Sequence, residues 1–338
     1  MLREKASARI KVSSAVRTKN QHYVPRLHLK HFVGSSPKNM IWTFDNELER
    51  WRSSTIENTG AQTNFYSVPD GKGGHIDALD DMLTSIENKA VSGYTTLLSG
   101  SIPIGQSRAD FSMFLATMFC RTPAMINASA SGHAHFADVV AQRMVSSRDE
   151  FERSAALYER DTGKKMSSYE SMRSFLTDRS RYKIAVSQKM GLNIIGAADG
   201  IWPLLYYRSW YLLDTDEGQF VTSDSPVHRW VPQNTVHRFY GDGGFKNAEA
   251  EITFPLSPTR TLLILGQDAR GGLKGPHLRL TCDEVGRMNE RRIQAAERYV
   301  YSATKDEESA RMAVEHRAYK LRFVSGEDAD GPTINIKR

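Results

Sequence analysis

The sequence is poor in cysteine, and its two cysteines are far apart. Cys120 and Cys282 each lie in a segment with apolar periodicity, and neither belongs to a CxxC pair. Cysteines that pair or bind zinc usually occur at short, regular spacings. The pattern therefore predicts two buried free thiols, not a disulfide or a zinc site, and it does not indicate redox chemistry.

Long hydrophobic runs are also absent. No run approaches the roughly 18 apolar residues that span a membrane, and residues 1–19 lack the apolar stretch of a secretory signal. We therefore expect a cytoplasmic protein without a membrane partner. Chemical fingerprints are equally scarce. The glycine-rich residues 70–74 are too irregular for a phosphate-binding loop, and no HExxH motif accompanies His22, His28 and His31.

Charge of one sign is concentrated at the N-terminus. The formal net charge is +6, and residues 1–19 hold six basic side chains and a single acidic one. The rest of the chain is therefore nearly neutral, which argues against a folded groove that binds nucleic acid tightly. We expect residues 1–19 to be a disordered basic arm, which either contacts an anionic partner such as nucleic acid or is simply solvated.

The periodicity of apolar residues predicts an α+β domain. Strands are expected near 40–45, 210–222 and 252–265, and helices near 77–98, 107–120 and 283–297. Short turns between strands favour antiparallel pairing, and the chain lacks the alternation of strand and helix that marks a doubly wound fold. The expected fold class is therefore α+β, with a mostly antiparallel sheet packed against several long helices.

The domain is expected to extend over residues 20–302 as a single unit. A mixed-charge stretch near 136–190 predicts a helical insertion, which is either a solvated surface or a lid over a site. Residues 303–338 are expected to form a peripheral tail. Within the domain, residues 20–32 have the spacing of a short amphipathic helix, and residues 64–68 resemble a strand.

Three polar residues stand at the margins of predicted apolar faces. His22 is expected to be a partly buried hydrogen-bonding residue, whereas His28 and His31 are expected on the surface or in packing contacts. Glu87 borders a helical stripe, where it is either a salt-bridge partner or a site residue. Arg121 continues the stripe of the helix near 107–120, so it needs a carboxylate or phosphate, because an unpaired buried charge is costly. We expect it to bond to an acidic side chain, with Glu87 and Asp224 as candidates, or to a backbone carbonyl.

Two more polar residues belong to the C-terminal half. Asp224 follows a strand in which Phe220 and Val221 are expected to pair with the strand near 210–213, and Pro226 must end that strand. The carboxylate of Asp224 either serves a site or only braces its own turn. Asn289 is a polar residue on the apolar face of the last long helix, where it either clamps the sheet backbone or reaches the Asp224 loop.

A series of short motifs connects these residues to a known family. The motifs are QHYVP at 21–25 with Leu29 and Phe32, Ile41-Trp42, NFY at 64–66, Ile86-Glu87, RTP at 121–123, TSDSPV at 222–227, FPLSP at 254–258 and Asn289. In this order they resemble the bacterial family called domain of unknown function 4238, over roughly residues 20–302. Ser225 replaces the asparagine that is usual in the central motif, and Leu27 and His28 replace a more aromatic stretch.

The resemblance implies no reaction, but it directs attention to His22, Glu87, Arg121, Asp224 and Asn289. One hypothesis is a metal-dependent hydrolase that acts on phosphodiester or related bonds. In it Asp224 and Glu87 hold a divalent metal, His22 shares the pocket as general acid or base, and Arg121 stabilises an anionic oxygen. The alternative is a non-catalytic binding or sensing module in which the same residues are structural.

Overall fold

A computed structural model describes residues 20–34, 39–70, 75–184, 186, 188–236, 241–266 and 275–317. The predicted basic arm, residues 1–19, and residues 318–338 of the predicted tail lie outside this part. The strands are β1 (Asn20–His22), β2 (Met40–Asp45), β3 (Arg50–Thr55), β4 (Ala61–Thr63), β5 (Val68–Pro69), β6 (His75–Ile76), β7 (Ser209–Asp214), β8 (Thr222–Ser223), β9 (His228–Trp230), β10 (Glu251–Ser257), β11 (Arg260–Leu265), β12 (His277–Arg279) and β13 (Tyr299–Ser302). The helices are α1 (Arg26–Leu29), α2 (Ala78–Leu98), α3 (Gly105–Cys120), α4 (Pro123–Met144), α5 (Arg148–Thr162), α6 (Tyr169–Thr177), α7 (Gln188–Leu192), α8 (Ala198–Tyr206), α9 (Cys282–Ala295) and α10 (Glu307–Arg317).

The larger strands form two sheets. One has the order β12-β7-β11-β10-β9 and the other the order β3-β2-β13-β8. Every pairing in them is antiparallel except that of β12 with β7. The predicted α+β class and the antiparallel preference are therefore confirmed. The expectation that the strands near 40–45, 210–222 and 252–265 share one sheet is wrong, because β2 belongs to the second sheet.

The predicted hairpin between residues 210–213 and Phe220-Val221 is also wrong. Strand β7 pairs with β11 and β12, whereas the chain after Val221 enters β8 and pairs with β13. Both Phe220 and Val221 are buried, as an apolar strand requires. Burial was thus predictable from the pattern, but the neighbouring strand lies nearly 80 residues away, and local periodicity carries no information about it.

Helix α3 lies at the centre of the main core, as its dense apolar stripe predicts. Phe111, Phe114, Leu115 and Met118 are fully buried, and the helix packs against α2 and α8. The rings of Phe111 and Phe114 meet Phe254 of β10 in edge-on contacts of 6.1 and 6.2 Å between centroids. Within the part of the chain that the structure describes, no helix is long and apolar enough to cross a membrane.

The charged region after α3 is helical and packs around a small core of its own. Val145, Phe151 and Leu176, which come from the end of α4, from α5 and from α6, are its buried members. Most of the charged side chains of α5 and α6 are exposed. Helix α10 packs on α9 through the buried Ala310 and Ala313, so the first part of the predicted tail contacts the body.

Three local predictions are wrong. Residues 20–32 do not begin as a helix: β1 pairs with β4, and α1 starts only at Arg26, after Pro25. Residues 64–68 form a turn followed by the two-residue strand β5. Cys120 is buried as expected, but Cys282 is exposed because it occupies the first turn of α9.

His28 is a core residue that forms hydrogen bonds at both ring nitrogens. Nδ1 lies 2.9 Å from the Tyr94 hydroxyl, and Nε2 lies 2.8 Å from Thr222 Oγ1. The side chain is completely buried, so the expectation of a surface or packing residue holds only for packing. Burial, followed by the charges of His31 and Arg292, places the pKa of His28 well below its usual value. His31 stacks on Tyr94, and burial lowers its pKa to about 4.

We expect the buried histidines to make the protein less stable in mild acid. The folded protein keeps His28 neutral, whereas the unfolded chain protonates it below a pH of about 6.5. The stabilisation is thus complete above pH 6.5 and declines as the pH falls below it, by up to about 1.4 kcal/mol per pH unit for each extra proton taken up on unfolding. Urea unfolding at pH 7.5 and pH 5.0 measures the decline. His28→Gln should give a flatter dependence, the exposed His135→Gln should match wild type, and an unchanged slope in His28→Gln would contradict the assignment.

Candidate functional site

Arg121 occupies the end of α3 and is buried among acceptors. The residue is 1% exposed. Nη1 donates to Glu87 Oε1 at 2.8 Å, Nε donates to the carbonyl of Tyr23 at 3.2 Å, and Nη2 donates to the carbonyl of His22. Burial by itself would lower the pKa of Arg121, but Tyr66 and Glu87 more than offset it and the pKa rises. The prediction that Arg121 bonds to an acidic side chain or a backbone carbonyl is confirmed, and the structure shows both kinds of acceptor.

Thr122 and Pro123 explain why Arg121 ends its helix. Thr122 has an extended backbone, and its hydroxyl accepts from the amide of Met125 at 3.3 Å, so it caps the start of α4. Pro123 takes the first position of α4, where its missing amide hydrogen is not needed. The chain therefore turns directly after Arg121, and the guanidinium is directed to the N-terminal segment that β4 holds in place.

Glu87 and His22 lie next to Arg121, together with a carboxylate that sequence reasoning missed. The side chain of Glu87 is 23% exposed. Nε2 of His22 lies 3.2 Å from the carbonyl of Ile56, and burial lowers the pKa of this histidine. Asp80 is half-buried, and burial raises its pKa although Arg121 acts in the opposite direction. Asp80 and Glu87 are two helical turns apart on α2, a spacing that the sequence alone could have revealed.

Asp224 forms a compact cap for the segment that leads into β13. Its side chain is 2% exposed. Oδ1 accepts from the amide of Glu297 at 2.8 Å, and Oδ2 accepts from the amides of Arg298 and Tyr299 at 2.6 and 2.8 Å. The amide of Asp224 donates to the carbonyl of Tyr299 at 3.0 Å. Asp224 thus braces a segment more than 70 residues away, whereas the sequence left open a role in a site or a brace of its own turn.

Asn289 clamps the backbone that leads into β8. Its Nδ2 donates to the carbonyl of Gln219 at 2.8 Å, and its Oδ1 accepts from the amide of Val221 at 3.1 Å. Of the two roles that the sequence left open, the structure shows the backbone clamp rather than a contact with the Asp224 loop. One turn further along α9, Arg292 Nη1 donates to the carbonyl of Pro226 at 2.8 Å. Helix α9 therefore holds both ends of the segment that contains Asp224.

The five predicted residues fall into two groups. His22, Glu87 and Arg121 lie together beside α2, whereas Asp224 and Asn289 belong to the α9 side of the molecule. Tyr23 connects the groups: its carbonyl accepts from Arg121, and its buried phenol, whose pKa is raised mainly by desolvation, lies near Tyr301 and Asp224. Among the described residues, no set of three or more His, Cys, Asp or Glu side chains is arranged to hold a metal ion.

Comparison with known proteins gives one match. A family model described as "Protein of unknown function (DUF4238)" matches residues 20–306, a range that contains all five residues. No curated protein and no solved structure matches the chain.

Proposed function

The chain belongs to the DUF4238 family, and we propose that it is a non-catalytic binding or sensing module of the cytoplasm. In this proposal His22, Glu87, Arg121, Asp224 and Asn289 keep the N-terminal segment and the β8 segment in place. The observation that carries the proposal is the bonding of Asp224. Its two carboxylate oxygens accept hydrogen bonds from three backbone amides.

Burial of the other residues supports the same conclusion. Arg121 is 1% exposed and Asn289 is 6% exposed, and both donate to carbonyls inside the protein. A general acid, base or oxyanion donor must come within hydrogen-bonding distance of a substrate. Residues whose polar atoms already form hydrogen bonds with the backbone fit a structural role better than a catalytic one.

A metal-dependent hydrolase that acts on phosphodiester or related bonds is the second candidate. The sequence hypothesis named Glu87 and Asp224 as metal ligands, but Asp224 lies on the α9 side with both carboxylate oxygens bonded to backbone amides. This candidate therefore retains only His22 as acid or base and Glu87 as a ligand. The observation in its favour is that His22 and Asp80, which lie beside Glu87, are partly exposed and have shifted pKa values. Such residues occur often at functional sites. In this candidate the hydrolysis would take place beside α2.

Cleavage and metal binding separate the two candidates. We expect the wild-type protein to leave mixed RNA, mixed DNA and a chromogenic phosphodiester intact in Mg²⁺ or Mn²⁺, and to show no metal-dependent change in melting temperature. Cleavage by wild type that is lost in His22→Ala and in Glu87→Gln, but kept in the exposed Glu308→Gln, would replace the binding module by the hydrolase. Circular dichroism of each variant shows that the fold is intact.

A further inference from the structure

Helix α9 places two arginines over the edge of the five-stranded sheet. Strand β9 is the last strand of this sheet, and α9 packs against it. The register sets His228 opposite Thr253, and alternation along the strand places both side chains on the same face. Arg292 Nη2 reaches Thr253 Oγ1 at 3.3 Å, and Arg291 stacks over the ring of Trp230 at 4.2 Å. Both guanidinium groups therefore approach the face of the sheet that carries His228, and their charges act on its ring.

Arg292 is buried without a negative counter-charge. Its side chain is 1% exposed, and burial lowers the pKa of this arginine to about 9, with no described carboxylate acting against the shift. Two of its nitrogens donate to Pro226 and Thr253, but Nε has no hydrogen-bond partner within the described part of the chain. A buried guanidinium in this state is costly unless an anion accompanies it.

The groups around His228 are mostly positive. Arg291 pairs with Glu251 at 2.8 Å, and Arg229 on the opposite face of β9 pairs with Asp242 at 2.7 Å. Nη1 of Arg229 is buried and has no partner among the described residues. Burial first, and then the charges of the arginines, lower the pKa of His228 to about 3. The charged and titratable groups that bear on His228 and Arg292 are Arg229, Arg291, Arg292, Glu251, Asp242 and His28.

We propose that a phosphate group, either free or carried by a phosphate monoester, binds at His228 between Arg291 and Arg292. The proposal rests on the binding-module function and names the ligand class for it. A tetrahedral dianion accepts from Arg292 Nε on its buried side and from Arg291 on its outer side. The half-buried His228 and Arg291, whose side chain is 36% exposed, form the side open to solvent.

Titration with anions tests the site directly. Inorganic phosphate should raise the melting temperature of the wild-type protein relative to potassium chloride at equal ionic strength. We expect Arg291→Gln and Arg292→Met each to weaken binding by roughly tenfold or more, because a hydrogen bond to a charged group contributes about 1.5–3 kcal/mol. The exposed Arg311→Gln serves as the matched control and should bind like wild type.

The role of His228 gives a pH signature. An anion favours the protonated ring, so affinity should increase as the pH falls from 7.5 to 5.5. Sulfate is the probe for this arm, because it stays a dianion over the whole interval. His228→Asn should remove most of the pH dependence while it keeps part of the affinity at pH 7.5. Parallel titrations with inorganic phosphate, adenosine 5′-monophosphate and adenosine show whether a monoester binds better than the free ion.

Two results would overturn the site. One is a folded wild-type protein that inorganic phosphate and sulfate do not stabilise beyond chloride. The other is binding that Arg291→Gln and His228→Asn leave unchanged, a comparison that does not depend on whether Arg292→Met folds. The binding-module function is judged separately by the cleavage assay. If the protein neither binds the anions nor cleaves the substrates, only the proposed ligand class is wrong. If it cleaves them, the binding-module function is rejected.

Discussion

Replacing Arg121 with methionine should lower the free energy of unfolding by about 3–5 kcal/mol, the range for removing one partner of a buried ion pair. The substitution keeps much of the apolar volume but removes the donors to Glu87 and to the carbonyls of His22 and Tyr23. Unsatisfied buried carbonyls account for most of the loss, because Glu87 is 23% exposed and can be hydrated. With total stabilities of about 5–15 kcal/mol for typical domains, this is a severe effect.

Matched variants distinguish the loss of the buried hydrogen bonds of Arg121 from the loss of a charge alone. Glu87→Gln should cost only about 1 kcal/mol, since an amide oxygen still accepts from Arg121 and the side chain is partly exposed. The exposed Arg311→Met on α10 should change stability by no more than about 0.5 kcal/mol. Urea unfolding of the three variants provides the comparison. Equal stability of Arg121→Met and wild type would show that the network does not hold the N-terminal segment.

Local signals were sufficient for much of the fold. The stripe of α3 was visible as Phe111, Phe114 and Met118 at helical spacing, and the start of α9 was marked by Thr281, which forms a capping box with Glu284. The apolar segment near 252–265, which forms β10 and β11, was likewise readable. In each case the residues that decide the structure are within a few positions of one another, so the sequence contains the whole signal.

Pairings between distant segments were not predictable in this way. The partners of β8 and of Asp224 lie more than 70 residues along the chain, and the same apolar strand would be equally well buried beside a different neighbour. The exposure of Cys282 was missed because apolar periodicity suggested a buried thiol, whereas the side chain lies in the exposed first turn of α9, directly after the cap Thr281. His28 was underestimated, since its partners Tyr94 and Thr222 come from two remote elements.

For the polar residues, too, local needs were predictable from the sequence and distant partners were not. That Arg121 needs an acceptor followed from its place on the apolar stripe, and Glu87 was among the named partners. Arg292 was missed although it lies three residues after Asn289, a spacing that puts both on one helical face. For Asp224 the sequence left two roles open, a site residue or a brace of its own turn. It could not show the actual role, because the three amides that donate to the carboxylate belong to the chain after α9.

Replacing Asp224 is expected to have the other large effect, and its size depends on how many carboxylate oxygens remain. Asp224→Ala leaves the amides of residues 297–299 without their acceptor. Hydrogen bonds to charged groups contribute about 1.5–3 kcal/mol each, but water can replace part of them and the losses are not additive. We expect a loss of about 4 kcal/mol in urea unfolding.

Asp224→Asn is the sharper test, because an asparagine has one oxygen where the aspartate has two. Its oxygen can still accept from the amides of Arg298 and Tyr299. Its NH₂ group then faces the amide of Glu297, and because both groups are donors, no hydrogen bond forms there. The expected loss is about 2–3 kcal/mol, against about 0.5 kcal/mol or less for the exposed Asp161→Asn. A cap that only supports β13 predicts this order of stabilities, and ligand binding by the folded Asp224→Asn protein should equal that of wild type. A variant as stable as wild type that has lost binding would instead place Asp224 in a site.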